Sequence, residues 1–487
     1  MLEQIRRAAS VAVVWGAFSS AVWTSTDVWA AEELRQASLV AAQRATLFLA
    51  EQVSSHGGYV WRYSADLTLR EGEGIVDSST VWVQPPGTPA VGEAFVHLYE
   101  ATGDRVFIDA ARRAAESLCQ GQMRSGGWQS MIEFDTERRR KWAYRVDPPR
   151  RQAKDQSSLD DDKTQSALRF LMQLDQALLE KDHVVHEMVQ YGLDGLLEKG
   201  QLANGGFPQV WTDDPDVHDH AVVQANYPET WSRQYAGHQE YWYRYTLNDN
   251  LALDVMQALL LADEIYGQQS PGDSRYLSSA KKLADSLLLA QMPDPQPAWA
   301  QQYSDQMQPC WARKFEPPAI TGGESQGVIE TLFLIYRYTG EKKYLEPIPR
   351  ALAYLRKSQL PNGRLARFYE LQSNRPLYVN TAYQLTYEDH DLPTHYSFSV
   401  PSRLDGLERT YERLVGTPYE ELRAAPSPQL DRPSEAAVRA VIDHLDERGA
   451  WLTEANLRYH KKPGPVIDMR ATVANLTLLS QYLSDVR

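Results

Sequence analysis

Five short turns recur along the chain, each directly after an amphipathic run: QVSSHGGYVW, QMRSGGW, QLANGGFPQVW, QMPDPQPAWAQQY and QLPNGRLARFY. The runs before them read ATLFLAE, ARRAAESLC, YGLDGLLEK, AKKLADSLLLA and ALAYLRKS. Second helical runs lie between the turns: FVHLYEATG, ALRFLMQLDQALLE, LALDVMQALLLADEIYG and GVIETLFLIYRYTG. Apolar residues fall at i, i+3, i+4 and i+7, which is the helical period. The repeating unit is therefore a helix pair with a punctuated turn. Such pairs stack as an open solenoid or close into a toroid. Closure suits this chain better, because the turns carry the aromatic and charged residues and a toroid gathers its turns at one end. The fold class expected is all-α, an (α/α) toroid of repeated helix pairs.

The 487 residues are 43% apolar and 23% charged, the composition of a folded protein. At the N-terminus, Arg6 and Arg7 precede an apolar run from Ala8 to Trp23, and Val28-Trp29-Ala30 offers a cleavage site. Residues 1–30 resemble a secretory signal peptide, with an ordinary buried helix as the alternative. A secreted or periplasmic protein follows from the first reading, with no membrane span after processing and a monomer expected. The toroid is expected over 31–422. Proline and charge rise in RAAPSPQLDRPSE, so 423–487 reads as a linker and a C-terminal helical cap. Cys119 and Cys310 are the two cysteines. Export would permit a disulfide between them, and two buried free thiols are the alternative. A net charge of −14 excludes nucleic-acid binding through general electrostatics. His218 and His220, in a long loop, read as solvated histidines before they read as metal ligands.

Chemistry concentrates in four places. Asp160, Asp161 and Asp162 stand in a row before one helical run, and Asn248, Asp249 and Asn250 before another. An acid at a helix start caps free N–H groups, but one suffices for that. The other two places are basic turns: CWARKFEPPAITGGESQG, with Arg313, Lys314, Glu316 and Glu324, and GRLARFYELQSNRPLY, with Arg364, Arg367, Tyr369 and Arg375. Each arginine could equally make an ordinary ion pair. Carboxylate and amide oxygens suit a hard cation such as calcium, and arginine forks suit carboxylates. Together they describe a site for a carboxylated ligand held partly through metal.

These stretches resemble a known family. LDDDKTQSALRF is similar to the IDN-x-x-T…RF motif of the family 10 polysaccharide lyases, the pectic acid lyases. NGGFPQVW resembles their NGGWPQ, and YTLNDNLAL their TFNDDAM. PCWARKFEPPAITGGESQG resembles PAWARAFEPPSLSGSES, and LARFYELQSNRPLY resembles WARFYEIGTNRPIF. The matches keep their order across about 160 to 380. The resemblance implies an α/α toroid and calcium-dependent β-elimination on polygalacturonate or a related polyuronate polysaccharide. It implies Asp160, Asp161 and Asp249 as calcium ligands, with Asp160 also in the catalytic region. Arg313 matches the arginine assigned as base, and Lys314, Arg367, Tyr369 and Arg375 fall in the stretches that hold substrate.

The chain also departs from the pattern. Asp161 replaces an Asn, Asn250 replaces an Asp, and the stretch after Asn380 reads TAYQLTYEDHDLPTHYSFSV instead of the family's usual signatures. Two other enzyme classes and a non-enzyme remain as alternatives. Paired carboxylates could hydrolyse a glycosidic bond. The Q-x3-G-x-[WF] turns resemble those of terpene cyclases, although LDDDK does not spell their D-x-D-D acid motif. A carbohydrate-binding toroid without chemistry is the third.

Overall fold

The computed structural model describes residues 25–178, 182–213, 220–267, 272–424 and 432–484. The arginines and apolar run of the expected signal peptide, and His218, lie outside them. Helices come in consecutive pairs. They are α1 (Ser25–Phe48), α2 (Thr88–Thr102), α3 (Arg105–Cys119), α4 (Thr136–Arg139), α5 (Lys163–Ala177), α6 (His183–Asp194) and α7 (Leu251–Tyr266). After them come α8 (Arg275–Ala290), α9 (Gly322–Thr339), α10 (Ile348–Lys357), α11 (Leu404–Gly416), α12 (Tyr419–Ala424), α13 (Glu435–Asp443) and α14 (Met469–Ser484).

The helices form the two layers of an α/α toroid. The inner layer runs α14, α2, α5, α7, α9, each packed on the next, and α11 follows α9. Helices α3, α6, α8 and α10 pack outside their partners. Sequence explains the division. Outer α3 buries a single stripe, Phe107, Ile108, Ala111, Ala114, Ala115 and Leu118, as an amphipathic surface helix must. Inner α9 is buried on nearly all sides from Gly322 to Tyr336. Inner helices approach closely where glycine permits: a Cβ on Gly92 of α2 would lie 2.4 Å from the Phe170 ring of α5.

The recurring turns have one physical purpose. The Gln122 side-chain amide donates to Gly126 O and Met188 O, both at 2.9 Å. Gln201 donates to Gly205 O and Ser279 O, at 2.9 and 3.0 Å. Gln291 donates to Pro297 O and Pro347 O, at 3.0 and 2.9 Å. Each glutamine staples its own turn to the next outer helix or its approach. Gly126 and Gly205 hold φ of +110° and +90°, and a Cβ on Gly205 would meet Lys282 O at 2.3 Å. The likeness to cyclase turns is thus accounted for by helix stapling.

Short antiparallel strands, which the helical periodicity did not announce, join the helices. One sheet orders Thr453–Leu457, Lys462–Asp468, Arg62–Ser64, Arg70–Glu71 and Ile75–Val76. Another orders Leu385–Thr386, Pro376–Val379, Phe368–Glu370 and Ala319–Thr321. The C-terminal segment returns to the start of the chain: α14 packs on α1 and α2, and Arg62–Ser64 pairs with Val466–Asp468. Cys119 and Cys310 are free, which decides the disulfide alternative against pairing. No helix among the described residues is long and apolar enough to cross a membrane.

Candidate active site

Two inner helices begin with the same unusual backbone. In Leu159–Lys163, Asp161 and Asp162 take φ of 48° and 61°; in Leu247–Leu251, Asp249 and Asn250 take 49° and 59°. Left-handed conformations in non-glycine residues cost about 1–3 kcal/mol each and are concentrated at functional sites. Aspartate and asparagine tolerate them best, which explains the residue types. The two turns pack against each other.

This backbone answers why three acids stand together. Asp162, directly before α5, makes no N-cap side-chain hydrogen bond, so capping does not account for the run of three. Asp162 turns to Arg169, at 2.6 Å. Asp160 and Asp161 turn the other way and meet Asp249: each offers a carboxylate oxygen, all within 4.8 Å of one another. Asp160 is fixed by Lys163 at 2.9 Å and by the Gln209 amide. Asp161 accepts from Gln84 at 3.1 Å, and Asp249 from Asn248. Asp249 lies open at the site, yet desolvation by its surroundings, then the charges of Asp161, Asp160 and Glu324, push its carboxyl up to about 7. Burial first, then Asp160, also raises Asp161.

Three oxygen donors at this spacing fit a hard cation. Calcium binds oxygens at about 2.3–2.6 Å, so two ligands of one ion stand at most about 5 Å apart. The crowding of acids, with Lys163 the one direct counter-charge among the described residues, leaves negative charge for a cation to neutralise.

The basic turns meet the acids at one place. Arg313 forks onto Glu316, with Nε at 2.7 Å. Glu316 is buried and also accepts from Tyr396 at 3.0 Å. Arg313 lowers the carboxyl pKa of both Asp161 and Asp249, which sets it within electrostatic reach of the cluster. Burial works against the Arg313 charge, but the Glu316 fork outweighs it and holds the guanidinium above its ordinary range. Arg313 is a fixed cation in this arrangement, which runs against the base role carried over by resemblance. Arg367 lies over the Tyr396 ring at 4.6 Å and reaches Glu324 at 3.5 Å. Its charge is felt by Asp249 as well.

The remaining expected residues divide. Lys314 is exposed and sits over the Tyr383 ring at 3.3 Å. Arg375 is exposed over Tyr387 at 3.5 Å, on the turn beside Glu370. No contact ties either to the acid cluster. Tyr369 is a correction: it is 1% exposed. Its hydroxyl donates to Ser358 O at 2.6 Å and accepts from the Ala366 N–H. That places it in the core, closed to substrate. Arg364 ties Ser399 to the neighbouring strand. His220 is buried instead of solvated, accepting from the Tyr245 N–H. Four of the eight bases in the stretch 135–158, Arg138, Arg139, Arg140 and Arg145, are held in ion pairs.

Sequence reasoning missed Tyr396, which bridges Arg367 and Glu316 from within the stretch that departs from the family pattern. It also missed Gln84, whose contact with Asp161 spans 77 residues. No local pattern marks either. Beside Asp161 and Asp249 opens a pocket of about 450 Å³, lined also by Trp61, Gln84, Arg458 and Arg470.

Residues 135–335 match the family model for pectic acid lyase. The stretch includes both acid turns and the Arg313 turn, and the match supports a polysaccharide-processing enzyme. It bears out the resemblance read from the motifs, with bounds that begin earlier and end before Arg367. Among solved structures, the chain is similar to a mutant family 10 polysaccharide lyase from Cellvibrio cellulosa in complex with trigalacturonic acid. That similarity has 16% identity, 68% of this chain and 98% of that one covered, and a TM-score of 0.45. It is also similar to a D-mannose isomerase, at 14% identity, 97% and 99% coverage and a TM-score of 0.46. A third is the cellobiose 2-epimerase from Spirochaeta thermophila, at 14% identity, 93% and 98% coverage and a TM-score of 0.45. No curated protein matches the chain.

Proposed function

We propose that the chain is a secreted or periplasmic polysaccharide lyase that cleaves a polyuronate by β-elimination with calcium. The observation that carries this reading is the cluster of three carboxylates at the starts of two inner helices, with Arg313 and Arg367 held on Glu316 and Glu324 close enough for their charge to act on it. The C5 proton of a uronate is weakly acidic. A base takes it, its bonding pair forms the C4=C5 double bond, and the C4–O glycosidic bond breaks with the leaving sugar taking up a proton. Neutralising the adjacent carboxylate stabilises the charge that builds on the way. Asp160, Asp161 and Asp249 would hold the calcium, which supplies positive charge against the substrate carboxylate. Arg313, locked as a cation by Glu316, stabilises negative charge on the substrate. Arg367, laid flat on Tyr396, orients a second carboxylate. Lys314 and Arg375 belong to the outer path of the polymer chain.

The test is direct. The purified chain is incubated with a panel of polyuronates, with calcium or with chelator, and ultraviolet absorbance is followed. Elimination leaves a conjugated double bond that absorbs; chelator should abolish the signal. Cleavage without absorbance would favour hydrolysis by paired carboxylates. Binding without cleavage would make the chain a carbohydrate-binding toroid.

A further inference from the structure

The pocket beyond the acid turns is built largely from segments outside the matched residues 135–335. It shares Asp161 and Asp249 with the acid cluster, so whatever occupies it touches the candidate centre. Its volume of about 450 Å³ falls within the ~300–1,000 Å³ usual for small-ligand sites.

The pocket lining carries free positive charge beside its aspartates, Asp161, Asp162, Asp249, Asp254 and Asp468. Arg62 there is committed to Asp468, at 2.8 Å, and to Glu71. Arg458 and Arg470 differ: among the described residues neither guanidinium has a carboxylate partner, and Arg458 lies over the Tyr459 ring at 5.6 Å. Their main chains are nevertheless fixed, with the Arg458 N–H donating to Glu71 and the Arg470 N–H to Asp468, both at 2.9 Å. Gln84, 7% exposed, gives its amide N–H to Asp161 and holds that acid at the pocket.

We propose that this pocket is a subsite for the terminal residue of an acidic glycan. Arg458 and Arg470 take its carboxylate. The sheet formed by Arg62–Ser64 and Lys462–Asp468 contributes Arg62 and Asp468 to the pocket lining, and in this proposal it ends the path of a chain lying over the acid turns. The proposal rests on the polyuronate reading and deepens it: the N- and C-terminal segments turn an open cleft into one that recognises a chain end.

The test compares the wild-type chain with Arg458→Ala/Arg470→Ala, two exposed side chains without a carboxylate partner among the described residues, so the fold is retained. Binding of D-galacturonate and of D-galactose is measured by calorimetry, and product lengths from polygalacturonate are followed from the start of digestion. The expected result is galacturonate binding at least tenfold tighter in the wild type than in the variant, and galactose bound by neither. Short products should appear first with the wild type and mixed lengths with the variant. Equal galacturonate affinity in the two proteins, or none in the wild type, overturns the subsite. Arginine-dependent galacturonate binding without elimination on any polyuronate supports the subsite and removes the lyase reading. Elimination with unchanged product lengths and unchanged affinity removes the subsite and leaves the lyase reading standing.

Discussion

Replacing Arg313 by alanine strands a buried carboxylate. The Glu316 side chain is 2% exposed and that of Arg313 is 34% exposed. Removing one partner of a buried ion pair costs about 3–5 kcal/mol, mostly because the other charge is left unpaired. Glu316 keeps the Tyr396 hydroxyl and the residue-313 backbone N–H, which sets the expected cost near the lower end, about 3 kcal/mol. Unfolding entropy of roughly 2.1 cal/mol/K per residue gives on the order of 1 kcal/mol/K for this chain. Arg313→Ala should therefore lower Tm by about 3 °C in calorimetry if unfolding is cooperative. Adding Glu316→Gln removes the stranded charge, so the double variant should recover half or more of the loss. A single variant as stable as wild type would refute the pairing argument. So would a double variant whose loss equals the sum of the two single losses, because residues in contact must couple. The distinction bears on chemistry: activity lost with Arg313→Ala counts toward a direct role only after this structural cost is subtracted.

Calcium at saturating concentration should raise Tm, by about 2.7 kcal/mol of added stability at one hundred times Kd, and Asp249→Asn should reduce the shift in the same titration. Gly92→Ala should cost about 1–3 kcal/mol in denaturant unfolding through overpacking against Phe170. Gln201→Ala should cost about 1–3 kcal/mol, since it leaves two carbonyls of the turn staple without their donor. Asp155 supplies a pH test: burial, opposed by the Ser125 hydrogen bonds and aided by Asp213, raises its carboxyl to about 6. Folding then favours the protonated form, so its contribution to stability is greatest at low pH and falls as pH rises from about 4 through about 6. Asp155→Asn should flatten the Tm profile over that window.

The helical layers were legible because period and punctuation are local. A run such as ARRAAESLC followed by QMRSGGW states a helix, its buried face and its end within a few residues. The acid and arginine turns were legible as residue types, and their chain order carried the resemblance to the pectic acid lyases. What each side chain does was not. Asp160, Asp161 and Asp162 read identically, yet one joins Arg169 and two join Asp249. Tyr369 sits in a substrate-like motif and is buried in the core, while Tyr396 sits in an unrecognised stretch and bridges the site.

By itself, then, the sequence determined a repeat of helix pairs, the glycine-bearing turns that join most of them, and a supply of oxygen donors and guanidinium groups at inner helix starts. Those follow from interactions within one or two helical turns. Only the tertiary structure decided which acids face one another, which arginine is spent on Glu316, and that the N- and C-terminal segments wall a pocket beside the acid turns. The reason is distance along the chain: Gln84 and Asp161, or Arg62 and Asp468, become neighbours only when the helix pairs pack. Charge alone does not say which partner a side chain will meet.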